Sequence, residues 1–129
     1  MLLVDTSVWV PFFNGQVSEK ANTLDYLLGR ELVLMGDLIL TEVLQGFRQD
    51  DHFAAAKQVL GSLEIRNLGG EEIALSAANN YRILRRKGVP TPGITDMFVG
   101  TYCILHSLTL LHDDECFYVM EEHLGLTSY

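Results

Sequence analysis

The fold is decided by the opening stretch Met1-Leu2-Leu3-Val4-Asp5-Thr6-Ser7-Val8-Trp9, in which an apolar run meets an acid and two hydroxyls. A short apolar run of this kind predicts a strand buried on both faces. In open α/β sheets, ligands bind beyond the carboxyl ends of the strands, which is where Asp5 falls. Two interpretations stay open at this point. Asp5 is either a functional carboxylate or the start of a turn or helix cap that Thr6 and Ser7 complete.

Length and composition favour one compact domain over residues 1–129. The chain has 129 residues and is 48% hydrophobic, which is enough for a sizeable core. It has no apolar run of membrane-spanning length, and Asp5 follows the N-terminal apolar stretch without a preceding basic region, so we expect neither a membrane anchor nor a signal peptide. Cys103 and Cys116 lack metal-binding spacing. Buried free thiols in a cytoplasmic protein are therefore expected.

The charge balance is strongly acidic. Nine Lys and Arg residues stand against seventeen Asp and Glu residues, for a net charge of −8. This argues against broad affinity for nucleic acids, which need cationic contacts. Acids gathered in one pocket would instead mark a cation site. The positions of the acids therefore decide whether the negative charge opposes nucleic-acid binding or binds a cation.

Strand-like and helix-like segments alternate along the chain. The patterns predict strands over residues 2–4, 32–35, 64–68 and 108–111, and helices over residues 18–28, 37–47, 50–60, 71–87, 96–106 and 116–124. Pro11 limits residues 8–13 to a short helical turn, and residues 125–129 form a tail or small edge strand. Asp37 and Thr95 are expected helix caps, and residues 64–68 an edge strand. Alternation of this kind predicts a three-layer α/β/α sandwich with a mostly parallel central sheet.

Acids far apart in sequence are expected to meet in this fold. Asp5 follows the first strand, Asp113 and Asp114 follow the strand over 108–111, and Asp96 opens a buried helix after a Pro/Gly loop. Strand ends and helix starts share one side of such sheets. Clustered carboxylates with hydroxyls suit a hard cation such as Mg²⁺ or Mn²⁺ and would repel one another without it. Sites of this type promote in-line displacement at phosphates.

Each acid also has a purely structural explanation. The helix dipole alone favours Asp96 in a first turn, and Asp113-Asp114 could be a turn with an N-cap. Glu42 borders the apolar face of its helix, where a solvated side chain is the alternative. His112 is interpreted as structural or peripheral, because no second histidine stands at ligand spacing.

Four segments together resemble a PIN domain, and specifically a VapC-type toxin ribonuclease. They are Leu3-Val4-Asp5-Thr6-Ser7-Val8-Trp9, Leu40-Thr41-Glu42-Val43-Leu44-Gln45-Gly46, Thr95-Asp96 and Leu110-Leu111-His112-Asp113-Asp114-Glu115-Cys116-Phe117. Each segment is weak alone, but their order and spacing over a chain of this size are specific. The resemblance covers essentially the whole length.

The resemblance implies an acidic quartet of Asp5, Glu42, Asp96 and Asp114, in which Asp5, Asp96 and Asp114 hold the metal. Where the family often reads Asp-x-Asp-Phe, this chain reads Asp114-Glu115-Cys116-Phe117, so Cys116 replaces the second acid. That replacement could weaken a second metal position, or Asp113 could substitute for the acid.

The implied activity is Mg²⁺- or Mn²⁺-dependent endonucleolytic cleavage of RNA. Thr6 or Ser7 would hold a water on the metal, or a phosphate. The implied partners are a VapB-like antitoxin that blocks the site and a second copy of the chain in a homodimer.

Few cations are available to touch RNA. Arg82, Arg85 and Arg86 share one helix face at i, i+3 and i+4. They either contact the RNA backbone or form a solvated face near the C-terminal end of the helix, where the helix dipole favours positive charge. The aromatic residues after the first strand either line the site or an antitoxin groove, or belong to the core; they are Trp9, Phe12 and Phe13.

Two other functions compete with the nuclease. A phosphoacceptor domain like a response-regulator receiver also gathers aspartates around Mg²⁺, but it needs a late lysine, and none follows Lys87. A catalytically inactive PIN-like binding module is the second alternative. Presence of all four expected acids argues against it, and metal binding and turnover would separate the two.

Overall fold

A computed structural model describes all residues, 1–129. Its central sheet has five strands in the order β3-β2-β1-β4-β5, and every neighbouring pair is parallel. The strands are β1 (Leu2–Val4), β2 (Val33–Gly36), β3 (Glu64–Arg66), β4 (Thr109–Leu111) and β5 (Thr127–Ser128). The predicted parallel sheet is confirmed, with β3 at one edge as expected and a short fifth strand at the other.

Seven α-helices and one 3₁₀ turn connect the strands: α1 (Thr6–Phe13), α2 (Glu19–Leu27), α3 (Asp37–Gln45), α4 (Asp50–Gly61), α5 (Glu71–Arg86), α6 (Ile94–Leu105), the turn Glu115–Phe117 and α7 (Tyr118–Leu124). Helices α1 to α4 contact one another, and α5 to α7 form a second contacting group. Right-handed crossovers explain this division. The chain runs from β1 through β2 to β3 in one direction across the sheet, and from β3 through β4 to β5 in the opposite direction. The result is the predicted three-layer sandwich. No helix has the length and apolar character needed to cross a membrane.

Helix α1 is longer than predicted and runs through Pro11. Trp9 is fully buried and packs edge-to-face on Phe12, with ring centroids 5.7 Å apart, and stacks on Phe13 at 5.8 Å. This aromatic packing holds the helix together although proline removes one backbone hydrogen bond.

Asp37 and Thr95 were predicted to cap helices, and both predictions are wrong. Gly36 caps α3 and Gly93 caps α6, so that Asp37 and Thr95 already lie inside the first turns. The Asp37 carboxylate instead accepts hydrogen bonds from the backbone N–H groups of Leu38 and Leu68, both at 2.9 Å. Because Leu68 lies beyond β3, Asp37 ties two neighbouring strand ends together, a long-range contact that local propensity does not reveal.

One core of 27 buried residues fills the space between the sheet and both helical layers. Gly100 shows how tightly α6 is packed: a Cβ atom there would lie 2.3 Å from Cε of Met120. The close neighbour of Gly100 is therefore α7 rather than a strand. This packing holds α6, which carries Asp96 in its first turn, close to α7.

Candidate metal centre

The carboxyl ends of β1 and β4 lie at the point where the strand order of the sheet reverses. From β1 the next strand lies on one side, and β4 lies on the other. The Asp5 backbone N–H donates to the Leu111 carbonyl at 2.9 Å, which joins the carboxyl ends of the two strands. Connections diverge from such a point and leave a crevice, the usual ligand site of parallel sheets.

Asp5 lies at the bottom of this crevice, with only 4% of its surface exposed. Its Oδ2 accepts the Ser7 backbone N–H at 3.0 Å, so Asp5 caps α1. The cap engages one carboxylate oxygen and leaves Oδ1 without a protein hydrogen-bond donor. The structural and the functional interpretations of Asp5 are thus compatible.

Asp96 lies half-buried in the first turn of α6 and faces the other acids. Burial raises the pKa of this carboxyl above its ordinary value, and the negative charges of Asp5, Asp114 and Glu42 raise it further. A hydrogen bond from the Cys116 thiol acts in the opposite direction. The fold therefore brings the four predicted acids within electrostatic reach of one another, as the sequence led us to expect.

Glu42 reaches the site from α3 and is held by Thr6 of α1. The Thr6 hydroxyl donates to Glu42 Oε1 at 2.7 Å, and the two side chains are half-buried. Glu42 Oε2 has no protein donor. This contact fixes the carboxylate in a single orientation, which a solvated surface glutamate would lack.

Asp113 and Asp114 are adjacent in sequence, and their side chains point in different directions. Asp114 Oδ1 accepts the Cys116 backbone N–H at 3.1 Å, and this side chain faces Asp96. The Asp113 side chain is exposed, while its backbone N–H donates to Ser7 Oγ at 2.9 Å. The Ser7 hydroxyl thus anchors the loop that carries Asp114.

His112 lies beside the acidic cluster and is 4% exposed. Its Nδ1 accepts the Asp114 backbone N–H at 3.3 Å, which leaves Nε2 to donate to Glu121 at 3.1 Å. The ring also packs on Phe117, with centroids 4.9 Å apart. His112 shapes the turn at Asp114, which agrees with the structural interpretation of this residue, and Glu121 of α7 fixes its second nitrogen.

Cys116 stands inside the cluster. Its thiol donates to Asp96 Oδ2 at 3.3 Å, and one ligand atom each from Asp96, Asp114 and Cys116 lies within 4.8 Å of the others. Burial and the two neighbouring carboxylates raise the pKa of this thiol. The other thiol, Cys103, is fully buried, which raises its pKa to about 12. Only Cys103 matches the expected buried thiol; Cys116 is half-exposed.

Asp96, Asp114 and Cys116 place ligand atoms within reach of one divalent cation, and Asp5 and Glu42 add negative charge nearby. The ion pairs of the chain join Arg66 to Glu64, His112 to Glu121 and His123 to Glu122, so no cationic side chain balances the four clustered carboxylates. Carboxylate oxygens are the ligands of Mg²⁺ and Mn²⁺. A cation would remove the mutual repulsion that raises the pKa of Asp96.

A cleft of about 350 Å³ opens on Asp114 and Cys116, between the loop Pro90–Pro92 and the segment after β4. It gives solutes access to one side of the cluster. Two larger grooves lie elsewhere: one of about 550 Å³ includes Phe13 and Phe47, and one of about 580 Å³ lies between α5 and α6.

The arginine face lies on the exposed side of α5. Arg82 and Arg85 line the groove between α5 and α6, and Arg85 lies over the Tyr81 ring, 5.9 Å from its centroid. Arg86 is exposed one turn after Arg82. None of the three forms an ion pair, so their charges are free to meet an anion. Of the early aromatic residues, Trp9 belongs to the core, whereas Phe12 and Phe13 are half-buried.

Comparisons with known proteins agree with this architecture. The PIN domain model matches residues 2–122. Ribonuclease VapC11 of Mycobacterium tuberculosis and a VapC ribonuclease of Mycobacterium bovis are each 30% identical over 130 residues, covering 99% of this chain and 97% of theirs.

Solved structures share the fold at lower identity. VapBC2 from Rickettsia felis, bound to a DNA fragment from its promoter, has a TM-score of 0.78 at 17% identity, over 99% of this chain and 96% of that one. DNA-bound VapBC from Salmonella typhimurium has a TM-score of 0.77 at 16% identity, over 100% and 98%. The chain belongs to the PIN domain family. Within this family, the relatives that match over nearly their whole length place the chain among the VapC ribonucleases.

We predict that Asp96→Asn stabilises the metal-free chain at neutral pH. Because the folded-state pKa of Asp96 is raised, the folded chain loses stability as pH rises through the interval from the unfolded value, about 3.9, to the folded one. The gain from the substitution should be full above this interval and absent below it. Thermal unfolding in EDTA at neutral and strongly acidic pH measures the difference.

The matched control is Asp25→Asn, which changes an exposed aspartate of α2 and should shift the unfolding temperature little at either pH. A gain of equal size at both pH values, or a loss at neutral pH, would contradict the assignment of Asp96 to a repulsive cluster.

Proposed function

We propose that Asp5, Asp96 and Asp114 hold a divalent cation, Mg²⁺ or Mn²⁺, with which the chain cleaves RNA phosphodiester bonds endonucleolytically. Membership among the VapC ribonucleases makes the chain an enzyme that acts on RNA. The observation that carries the residue assignment is the convergence of four carboxylates at the β1–β4 edge without a balancing cationic side chain. We propose that residues 1–129 form one catalytic domain.

The bound cation would neutralise phosphate charge and stabilise the transition state of an in-line displacement. The chain itself supplies three oxygen ligands, two of them fixed by backbone N–H groups. Ser7 N–H holds one oxygen of Asp5, and Cys116 N–H holds one oxygen of Asp114. These bonds orient the carboxylates before any ligand arrives, which lowers the cost of assembling the site.

Glu42 is the fourth member and lies on α3, across the crevice from α6. Since the Thr6 hydroxyl occupies Oε1, Oε2 is the atom free to accept a proton from water. Hydrolysis forms one P–O bond to the water oxygen, whose proton passes to Glu42, and breaks one P–O bond to the sugar, whose oxygen takes a proton from solvent. We therefore assign to Glu42 the orientation and deprotonation of the attacking water, and to Thr6 the positioning of Glu42.

The first test is cleavage of total RNA, including tRNA and rRNA, by the purified chain free of any antitoxin. We predict cutting with Mg²⁺ or Mn²⁺, none with EDTA, and loss to the EDTA level in Asp5→Asn and Asp96→Asn, because each substitution removes an anionic ligand. Gel electrophoresis of end-labelled RNA measures the products, and circular dichroism checks the fold.

Asp25→Asn again serves as the control and should cut like the unmodified chain, since Asp25 is exposed on α2. Full activity in Asp96→Asn would refute the metal-ligand role. Absence of both cleavage and metal binding in the unmodified chain would favour an inactive binding module.

We propose that the arginine face of Arg82, Arg85 and Arg86 holds the RNA backbone. The support is its position beside the start of α6, which also carries Asp96, and its lack of carboxylate partners. A local cationic face also reconciles RNA binding with the net charge of −8.

The double substitution Arg85→Ala and Arg86→Ala should weaken RNA binding by similar factors for all sequences. It should also reduce the slope of log affinity against log salt by about 0.7 per lost contact. Fluorescence anisotropy with Asp96→Asn as background, which prevents cleavage, measures both quantities. Arg30→Ala with Lys57→Ala removes two exposed cations elsewhere and should change the slope less. Equal effects of the two pairs would mean that only net charge matters.

The proposed partners are a VapB-like antitoxin and a second copy of the chain. Four structural neighbours are VapBC complexes or a toxin–antitoxin complex, which supports an antitoxin as a partner of this chain. For the homodimer we assign the apolar α6 side of the groove between α5 and α6, where Ile94 is 77% exposed, which leaves Arg82 and Arg85 on the α5 side to contact RNA. Two free cysteines fit action in the cytoplasm, where thiols stay reduced.

Sedimentation of the isolated chain tests the dimer. We predict a dimer for the unmodified chain and a monomer for Ile94→Arg, because a charge in an apolar contact is left unpaired. Val17 is a matched control, since it is apolar and fully exposed outside the groove, and Val17→Arg should remain dimeric. A monomeric unmodified chain would contradict the homodimer, and a dimeric Ile94→Arg would contradict the assigned face.

A further inference from the structure

The cation site contains a thiol where the resemblance leads one to expect a carboxylate. Cys116 Sγ lies 3.3 Å from Asp96 Oδ2, and the ligand atoms of Cys116, Asp96 and Asp114 fall within 4.8 Å of one another. Tetrahedral ligands at ordinary zinc–sulfur and zinc–oxygen distances lie about 3.5 Å apart. The thiol and Asp96 are thus spaced to share one ion with little movement.

The surroundings of Cys116 differ from those of an ordinary core cysteine. The residue is half-exposed and lines the cleft of about 350 Å³, together with Asp114 and the loop Pro90–Pro92. Solutes can therefore reach its sulfur. Cys103, by contrast, is fully buried in α6 and has no access to solvent.

We propose that Cys116 is a ligand for thiophilic divalent cations, so that Zn²⁺ competes with Mg²⁺ at this centre and inhibits the nuclease. The inference rests on the proposed function, since it concerns the cation of the same site. Thiolate ligands favour Zn²⁺ and Co²⁺, whereas Mg²⁺ takes oxygen ligands. As the sulfur–metal bond forms, the thiol proton is released to solvent. Without a metal, the Cys116 thiol donates to Asp96 Oδ2.

Cobalt spectroscopy gives a readout that is independent of activity. The unmodified full-length chain loaded with Co²⁺ should show a thiolate-to-cobalt charge-transfer band in the near ultraviolet. Cys116→Ser and Cys116→Asp should lack it, and Cys103→Ala should keep it as the matched control. A band missing from the unmodified chain, or retained in Cys116→Ser, would overturn the inference.

Calorimetry with Zn²⁺ and Mg²⁺ supplies the second measurement. Cys116→Ser should bind Zn²⁺ at least about tenfold more weakly, while Mg²⁺ affinity stays within about twofold because the oxygen ligands remain. In parallel, Zn²⁺ added to the Mg²⁺-loaded chain should inhibit RNA cleavage less effectively in Cys116→Asp than in the unmodified chain. Equal loss of affinity for both cations would mean that Cys116 has only a structural role.

The two proposals fail separately. If the unmodified chain cleaves RNA with Mg²⁺ but shows no cobalt charge-transfer band, the ligand role of Cys116 falls and the nuclease stands. If the band appears and no variant cleaves RNA, the nuclease assignment falls and the thiol ligand stands.

Discussion

The repulsion among four carboxylates that the fold holds together is the constraint on which the rest of the structure depends. Asp5 is 4% exposed, and its charge, with those of Asp114 and Glu42, raises the pKa of Asp96 beyond the effect of burial. Such an arrangement is unfavourable in isolation. A chain of this size can maintain it only if the surrounding elements fix each acid independently of the others.

The fixing contacts are short and come from different elements. A backbone N–H holds Asp5, the Thr6 hydroxyl holds Glu42, and the turn Glu115–Phe117 holds Asp114. Behind them, the packing of Gly100 against Met120 keeps α6 close to α7. The site is therefore preorganised by ordinary helix caps and close helix packing.

A dense acidic site also accounts for the overall composition. A net charge of −8 would oppose RNA binding if it were spread evenly over the surface. Here part of it is concentrated where a cation fits, and the three unpaired arginines lie on one face of α5. Cys116 adds a sulfur atom to this cluster, where its thiol donates to Asp96.

By itself the sequence determined the layers of the fold and predicted which acids lie near one another. Apolar runs such as Leu2–Val4 followed directly by an acid predict buried parallel strands with a site at their ends, because side-chain periodicity and burial are local properties. It also predicted Asp5, Glu42, Asp96 and Asp114 as the acids of the site, largely through the resemblance to PIN domains.

Only the tertiary structure decided which partner each side chain finds. Asp37 bonds Leu68 across strands instead of capping its helix, Glu121 of α7 bonds His112, and the Cys116 thiol meets Asp96. These contacts join residues from separate elements, and their geometry depends on the packed positions of both elements, which no local pattern encodes.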